Sequence, residues 1–144
     1  MRDLHGNHRV MMQPLQDITI LVAEDERPVR MLVRVVLESA GARVIEAENG
    51  AIALRLLDLH PEVDVLCTDV NMPILDGAGL TLAARMRRPH LPVVACTAMD
   101  LDVSYPELAR AVDGLVQKPF VPSDLVRAVG DVVQRRRTDI IAAS

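Results

Sequence analysis

Ile18-Thr19-Ile20-Leu21-Val22-Ala23-Glu24-Asp25 runs from an apolar stretch directly into two acids. A short apolar run without turn formers, rich in β-branched side chains, reads as a strand buried on both faces, as strands of parallel sheets are. The pattern recurs. Val63-Asp64-Val65-Leu66-Cys67-Thr68 closes on Asp69, Leu91-Pro92-Val93-Val94-Ala95-Cys96 on Thr97, and Gly114-Leu115-Val116-Gln117 on Lys118-Pro119. In an open α/β sheet the carboxyl ends of the strands line a common crevice, so Glu24, Asp25, Asp69, Thr97 and Lys118 are expected to make one site. Three carboxylates would repel one another there unless a hard cation joined them, and Mg²⁺ favours oxygen ligands. Thr97 adds a hydroxyl donor and Lys118 a fixed positive charge, a set suited to an oxygen-rich anion such as a phosphoryl group.

The segments between these runs carry helical periodicity. Pro28 opens a helix whose Val29, Leu32, Val33, Val36 and Ala40 repeat at helical spacing until Gly41 ends it. A short strand follows at Arg43 to Ala47. Asn49-Gly50 introduces a second helix, with Ile52, Leu56 and Leu59 on one face, that Pro61 stops. Gly79 to Arg87 reads as the third helix, with Asp76 as its cap. A short, weak helix is expected around Glu107 to Val112, and a last one capped by Ser123 or Asp124, burying Leu125, Val129, Val132 and Val133. Five strands alternating with five helices predict an α/β domain with a doubly wound parallel sheet. The expected organisation is a flexible leader over residues 1–16, the domain over 17–137 and a tail over 138–144.

Composition narrows the functional class. The chain has 144 residues, is 50% hydrophobic with a formal net charge of −4, and contains one Tyr, one Phe and no Trp, which fits one soluble domain burying roughly two thirds of its unfolded surface. Mild acidity offers no broad cationic field for nucleic acid, and Arg135-Arg136-Arg137 reads as cations complementing a helix end. Cys67 and Cys96 fall inside apolar runs and are expected as reduced core residues. No apolar stretch approaches the roughly 20 residues of a membrane helix, and the polar N-terminus lacks a signal-peptide core, so a cytoplasmic location is expected. His5, His8, His60 and His90 show no ligand spacing.

Over about residues 17 to 137 the arrangement resembles the receiver domain of two-component response regulators. The resemblance rests on four segments in the family's order and near its spacing: Ile20-Leu21-Val22-Ala23-Glu24-Asp25-Glu26, Asp69-Val70-Asn71-Met72-Pro73-Ile74-Leu75-Asp76-Gly77, Cys96-Thr97-Ala98 and Lys118-Pro119-Phe120. It implies a flavodoxin-like sheet of order 2-1-3-4-5 and a phosphoryl group accepted on Asp69 from a phosphohistidine partner. It also implies that Mg²⁺ is bound by Asp25, Asp69 and the backbone carbonyl of Asn71, with Glu24 acting mostly through water. Thr97 and Lys118 would contact the phosphoryl oxygens, the bond before Pro119 would be cis, and Gly77 would take a backbone conformation that a side chain opposes. The partner would be a histidine kinase or a histidine phosphotransfer protein. The protein would assist its own phosphotransfer without acting as an enzyme on a separate substrate.

Two departures from the family pattern bear on output. Leu115 stands where many receivers carry an aromatic residue that rotates behind the active-site threonine, and Tyr105, nearby in sequence, is a weak substitute. Met99 flanks the route of an attacking water, opposite Asn71. The 26 residues after Lys118 leave no room for an output module beyond the last helix, so direct nucleic-acid binding is not expected, and a stand-alone receiver or a module of a hybrid sensor kinase is. With the sheet-facing residues of the first helix assigned as above, Met31 and Val35 point outward and offer a docking stripe, with Phe120 and Val121 at its rim. A Mg²⁺-dependent hydrolase working through an aspartyl phosphate is the main alternative. It calls for a second acid two residues after the nucleophile, where this chain has Asn71. A receiver-like scaffold working without phosphorylation is disfavoured because all five site residues are present.

Overall fold

A computed structural model describes residues 12–143. The first 11 residues of the expected leader, with His5 and His8, lie outside the described residues. Five strands, β1 (Thr19–Ala23), β2 (Arg43–Ala47), β3 (Val65–Thr68), β4 (Val93–Thr97) and β5 (Gly114–Gln117), pair in parallel in the order β2-β1-β3-β4-β5. Between and after them run α1 (Arg27–Ser39), α2 (Gly50–Leu59), α3 (Gly77–Arg87), the short α4 (Leu101–Ser104) and α5 (Pro106–Ala111), and the long α6 (Pro122–Ala143). The register aligns Ala23 with Ala47 and Thr68, Thr68 with Ala95, and Thr97 with Gln117. The residues after β1, β3 and β5 therefore emerge along one edge.

Strand side chains alternate between two cores, as the two-residue period of a strand requires. Ile20, Val22, Val65, Cys67, Val94 and Cys96 pack with the buried faces of α1 and α6. Leu21, Ala23, Leu66 and Val93 pack with α2 and α3. Both cysteines are free and buried, as expected; burial pushes the Cys96 thiol up to about 11 and raises that of Cys67 further, so neither is a thiolate near neutrality.

Several details differ from the sequence reading. In α1 the buried face is Val33 and Leu37, continued by Ala40 and flanked by Val29 and Val36, while Leu32 is exposed. In α2 it is Gly50, Ala53 and Leu57, with Ile52 and Leu56 half-buried and Leu59 exposed. The α2 face is rotated by about one residue, 100° on a helix, whereas in α1 four of the five expected residues hold and only Leu32 gives way to Leu37, because consecutive apolar residues leave the centre of the stripe undetermined. Gly41 ends α1 with φ 102° in a Schellman arrangement: its N–H donates to Glu38 O and that of Ala42 to Leu37 O. The expected fourth helix is α5, and an unforeseen short helix, α4, precedes it; the two are separated at Tyr105, which packs with Ala95, Leu101 and Leu108. Val121 O accepts from the N–H groups of Asp124 and Leu125, so α6 starts at Pro122 and places Ser123 and Asp124 inside its first turn rather than at the cap.

Two boundaries also move. Leu15 is fully buried among Leu37, Ala40, Val129 and their neighbours, and its N–H donates to Ala40 O at 2.9 Å; residues just before β1 are thus part of the body, not a loose leader. At the other end α6 continues past residue 137 to Ala143. Arg135 to Arg137 therefore lie well inside the helix, and Arg135 Nη2 donates to Asp113 O at 2.7 Å instead of serving a helix end.

Candidate functional site

Three loops at the carboxyl edge carry the charged residues. Glu24 follows β1, and its N–H donates to Ala47 O of β2. Asp69 follows β3, with its N–H on Ala23 O. Lys118 follows β5 with its N–H on Thr97 O, and its bond to Pro119 is cis, as the family resemblance implies. The cross-strand backbone bonds thus fix the origin of each side chain before any side-chain contact forms.

Lys118 Nζ donates to Glu24 Oε1 at 2.6 Å and lies 3.4 Å from Asp69 Oδ2, while Asp69 Oδ1 accepts from Val70 N–H at 2.7 Å. Glu24 is 3% exposed, Asp69 and Lys118 are half-buried, and Asp25 is exposed. Burial pushes the Glu24 carboxyl up to about 7; the neighbouring Asp69 adds to the rise and Lys118 opposes it. Burial would by itself lower the Lys118 ammonium, but its hydrogen bond with Glu24 and the charges of Glu24 and Asp69 outweigh that and hold it above its usual range.

One carboxylate oxygen from each of Glu24, Asp25 and Asp69 lies within 4.8 Å of the others. Glu24 Oε2 is buried and has no hydrogen-bond partner among the described residues. An uncompensated oxygen at a convergence of carboxylates is what an oxygen-seeking dication satisfies, so the residues present fit Mg²⁺. Asn71 is exposed on the loop two residues past Asp69. Thr97 is buried at the end of β4, and its hydroxyl accepts from Met99 N–H at 3.1 Å, leaving the hydroxyl proton for an acceptor in the crevice. Leu115 is half exposed on β5.

The loop from Asp69 to α3 is held by close approaches. Asp76 Oδ1 caps α3 by accepting from Gly79 N–H at 2.8 Å, as expected, although the helix begins at Gly77 rather than Gly79. Gly77 does not have a positive φ. Its glycine is required by space, because a Cβ there would lie 2.2 Å from Asp69 O. The unusual backbone belongs to Ile74, with φ 72° at the centre of a tight turn in which Leu75 N–H donates to Pro73 O. Ile74 is 81% exposed, so it has little burial to lose, and glycine reaches positive φ without the penalty a β-branched residue meets. Ile74→Gly is expected to stabilise the fold by about 1 kcal/mol, read as a higher urea midpoint; an unchanged or lower midpoint would show the turn to be unstrained.

Sequence reasoning missed Arg30. Its Nη1 donates to the backbone carbonyl of Glu24 at 2.8 Å, from one turn into α1. Nothing in the sequence separates it from the other surface arginines of that helix.

Comparison with known proteins agrees with this geometry. Residues 20–130 match the family described as the response regulator receiver domain. The phosphate regulon transcriptional regulatory protein PhoB of Pseudomonas aeruginosa is 34% identical over 123 residues, covering 81% of this chain and 52% of that protein. Sensor kinase CckA of Brucella abortus is 33% identical over 120 residues, covering 82% of this chain and 13% of the kinase. The chain thus spans about half the length of the curated regulators it matches and a smaller share of the kinases. Among solved structures, a receiver domain protein of Clostridium thermocellum superposes with a TM-score of 0.77 at 27% identity, covering 84% of this chain and 98% of that one. The chemotaxis protein CheY4 of Vibrio cholerae gives 0.75 at 28% identity, covering 80% and 98%. Sequence and strand order agree across the five-stranded body, and on that agreement the chain belongs to the response regulator receiver domains of two-component systems.

Proposed function

We propose that this receiver accepts a phosphoryl group on Asp69 from the phosphohistidine of a histidine kinase or histidine phosphotransfer protein, with Mg²⁺ held by Glu24, Asp25, Asp69 and the Asn71 carbonyl. The observation that carries the reading is the division of labour among the acids. Glu24 is buried and tied to Lys118 at 2.6 Å, whereas Asp69 is half-buried with Oδ2 only loosely paired at 3.4 Å. That oxygen is the nucleophile: it forms a bond to phosphorus as the N–P bond breaks, and the electron pair leaves with the imidazole nitrogen, which takes up a proton. Bound Mg²⁺ supplies charge neutralisation for an anionic phosphoryl group approaching an anionic acid.

Lys118 and Thr97 act on the phosphoryl oxygens, one as a cation and one as a hydroxyl donor. Hydrogen bonds involving a charged group contribute about 1.5–3 kcal/mol each, so the pair supplies roughly 3–6 kcal/mol. Shifting a two-state protein from 1:99 to 99:1 takes about 5.5 kcal/mol. Where they form mainly in the phosphorylated state, the two contacts are of the size needed to switch the domain. The chain turns over no separate substrate in this reading. Incubation with a small phosphoramidate and Mg²⁺ should add one phosphoryl group by intact mass, and a chelator should prevent it. Labelling that proceeds equally in chelator would sink the metal-assisted mechanism.

The partner's docking surface is assigned to the outward side of α1. Met31, Leu32 and Val35 are each at least half exposed, and beside them an open groove of about 540 Å³ runs between α1 and α6, lined by Val35, Val36, Pro122 and Val126. An apolar stripe next to a shallow groove suits the helical bundle of a kinase or phosphotransfer protein. Met31→Glu or Val35→Glu should slow transfer from the cognate kinase by about tenfold or more while leaving labelling by the phosphoramidate unchanged. Leu115→Tyr should alter neither. Equal losses with both donors, or a kinase-specific loss from Leu115→Tyr alone, would move docking to the β5 face.

A further inference from the structure

We infer that Arg30 is a positioning residue for the metal site, holding the Glu24–Asp25 peptide so that Asp25 presents its carboxylate to the cation; this rests on the metal-assisted reading above. The peptide plane is rigid, so fixing the Glu24 carbonyl fixes the direction in which the chain leaves toward Asp25. Asp25 itself is exposed and its carboxylate makes no hydrogen bond or ion pair among the described residues. Its aim therefore depends on the backbone that carries it. Arg30 Nη1 donates to that carbonyl at 2.8 Å, and the guanidinium is anchored from its other side by Glu46, with Nε 3.3 Å from Oε1. The Arg30 side chain is only 13% exposed. Glu46 Oε2 is in turn held by Arg34 Nη1 at 2.6 Å.

β2 thus grips the acidic loop twice. Ala47 O takes the Glu24 N–H directly, and Glu46, one residue earlier, steadies the arginine that takes the Glu24 carbonyl. Both polar groups of Glu24's backbone are assigned before any cation arrives, which is preorganisation in the sense that outer-shell partners provide to metal ligands.

Electrostatics and positioning predict opposite signs here, which makes the inference testable. A guanidinium close to a divalent cation repels it, so removing the charge should tighten Mg²⁺ binding if charge were its whole effect. If Arg30 acts by holding the carbonyl, its removal should weaken binding, by about tenfold on the scale known for outer-shell partners. The experiment is calorimetric titration of the intact protein with Mg²⁺ and no phosphodonor, with urea unfolding in chelator to confirm that each variant is folded. Arg30→Met should weaken Mg²⁺ binding by about tenfold. Arg30→Lys, which keeps the charge but not the two-sided grip, should fall between it and the parent. Arg34→Met, which removes the other partner of Glu46 but leaves Arg30 on the Glu24 carbonyl, should lose less than Arg30→Met does. Arg30→Met binding Mg²⁺ as tightly as the parent, or more tightly, overturns the inference; should that variant not fold, Arg30→Lys binding like the parent does the same. An equal loss in Arg34→Met overturns it as well. Asp25→Asn separates the two levels: if it too binds like the parent, the acidic pair is not the metal site and the underlying reading fails.

Discussion

Asp69→Asn should reduce phosphoryl labelling to background with any donor, while leaving the fold intact. An amide is isosteric with the carboxylate and keeps an oxygen for the Val70 N–H that Asp69 Oδ1 accepts at 2.7 Å. It lacks the anionic oxygen that must bond to phosphorus, and no neighbouring acid takes its place. Glu24 is buried and committed to Lys118, Asp25 would be taken up by the cation, and Asp76 is occupied in capping α3. Lys118 keeps its shorter contact to Glu24 and loses only the 3.4 Å pairing, so stability should change little. The check is intact mass after incubation with phosphoramidate and Mg²⁺, beside a urea curve. Undiminished labelling of the variant would place the acceptor elsewhere.

Gly77→Ala should damage both stability and transfer. Its Cβ would stand 2.2 Å from Asp69 O and 2.7 Å from Val70 Cα, and both are backbone atoms that cannot rotate away. Either α3 or the end of β3 must shift, breaking the bond from Gly77 N–H to Val70 O. Overpacking of this kind costs about 3 kcal/mol, and a displacement of about 1 Å at a reacting group slows a reaction by about a hundredfold. Gly79→Ala is the control, since its Cβ meets chiefly Leu75 Cδ1, the end of a flexible side chain. Urea midpoints and labelling rates for the two variants decide the matter: if Gly77→Ala were as stable and as fast as Gly79→Ala, the backbone contact would not be limiting.

The sheet and the site were legible for one reason. A buried parallel strand is a continuous apolar run, and the first residue able to carry chemistry is the one that ends it, so Glu24, Asp69, Thr97 and Lys118 mark themselves by position. Helix phase was less legible. Met31-Leu32-Val33 and Val35-Val36-Leu37 each offer three consecutive apolar residues, and only packing against the sheet selects Val33 and Leu37 over Leu32. Leu15 was missed because a single leucine between Pro14 and Gln16 has no period to reveal it. Gly77 was recognised as a required glycine for a different cause, since sequence shows no distance to Asp69 O. Arg30 was hidden because its contact is with a carbonyl, and every residue has one of those.

The side-chain caps of α2 and α3 carry one more consequence, for the chemical durability of the chain. Asn49-Gly50 and Asp76-Gly77 are the dipeptides most prone to succinimide formation, in which the glycine nitrogen attacks the preceding side-chain carbonyl. In both, that side chain is engaged as a cap, Asn49 Oδ1 by Ile52 N–H and Asp76 Oδ1 by Gly79 N–H, and Gly77 N–H is itself bonded to Val70 O. Attack requires the side chain to swing back over the following peptide, which the cap forbids. Deamidation at residue 49 and isomerisation at residue 76 must therefore wait for the first turn of α2 or α3 to open, and the rate at which the protein ages at these positions is set by its local unfolding.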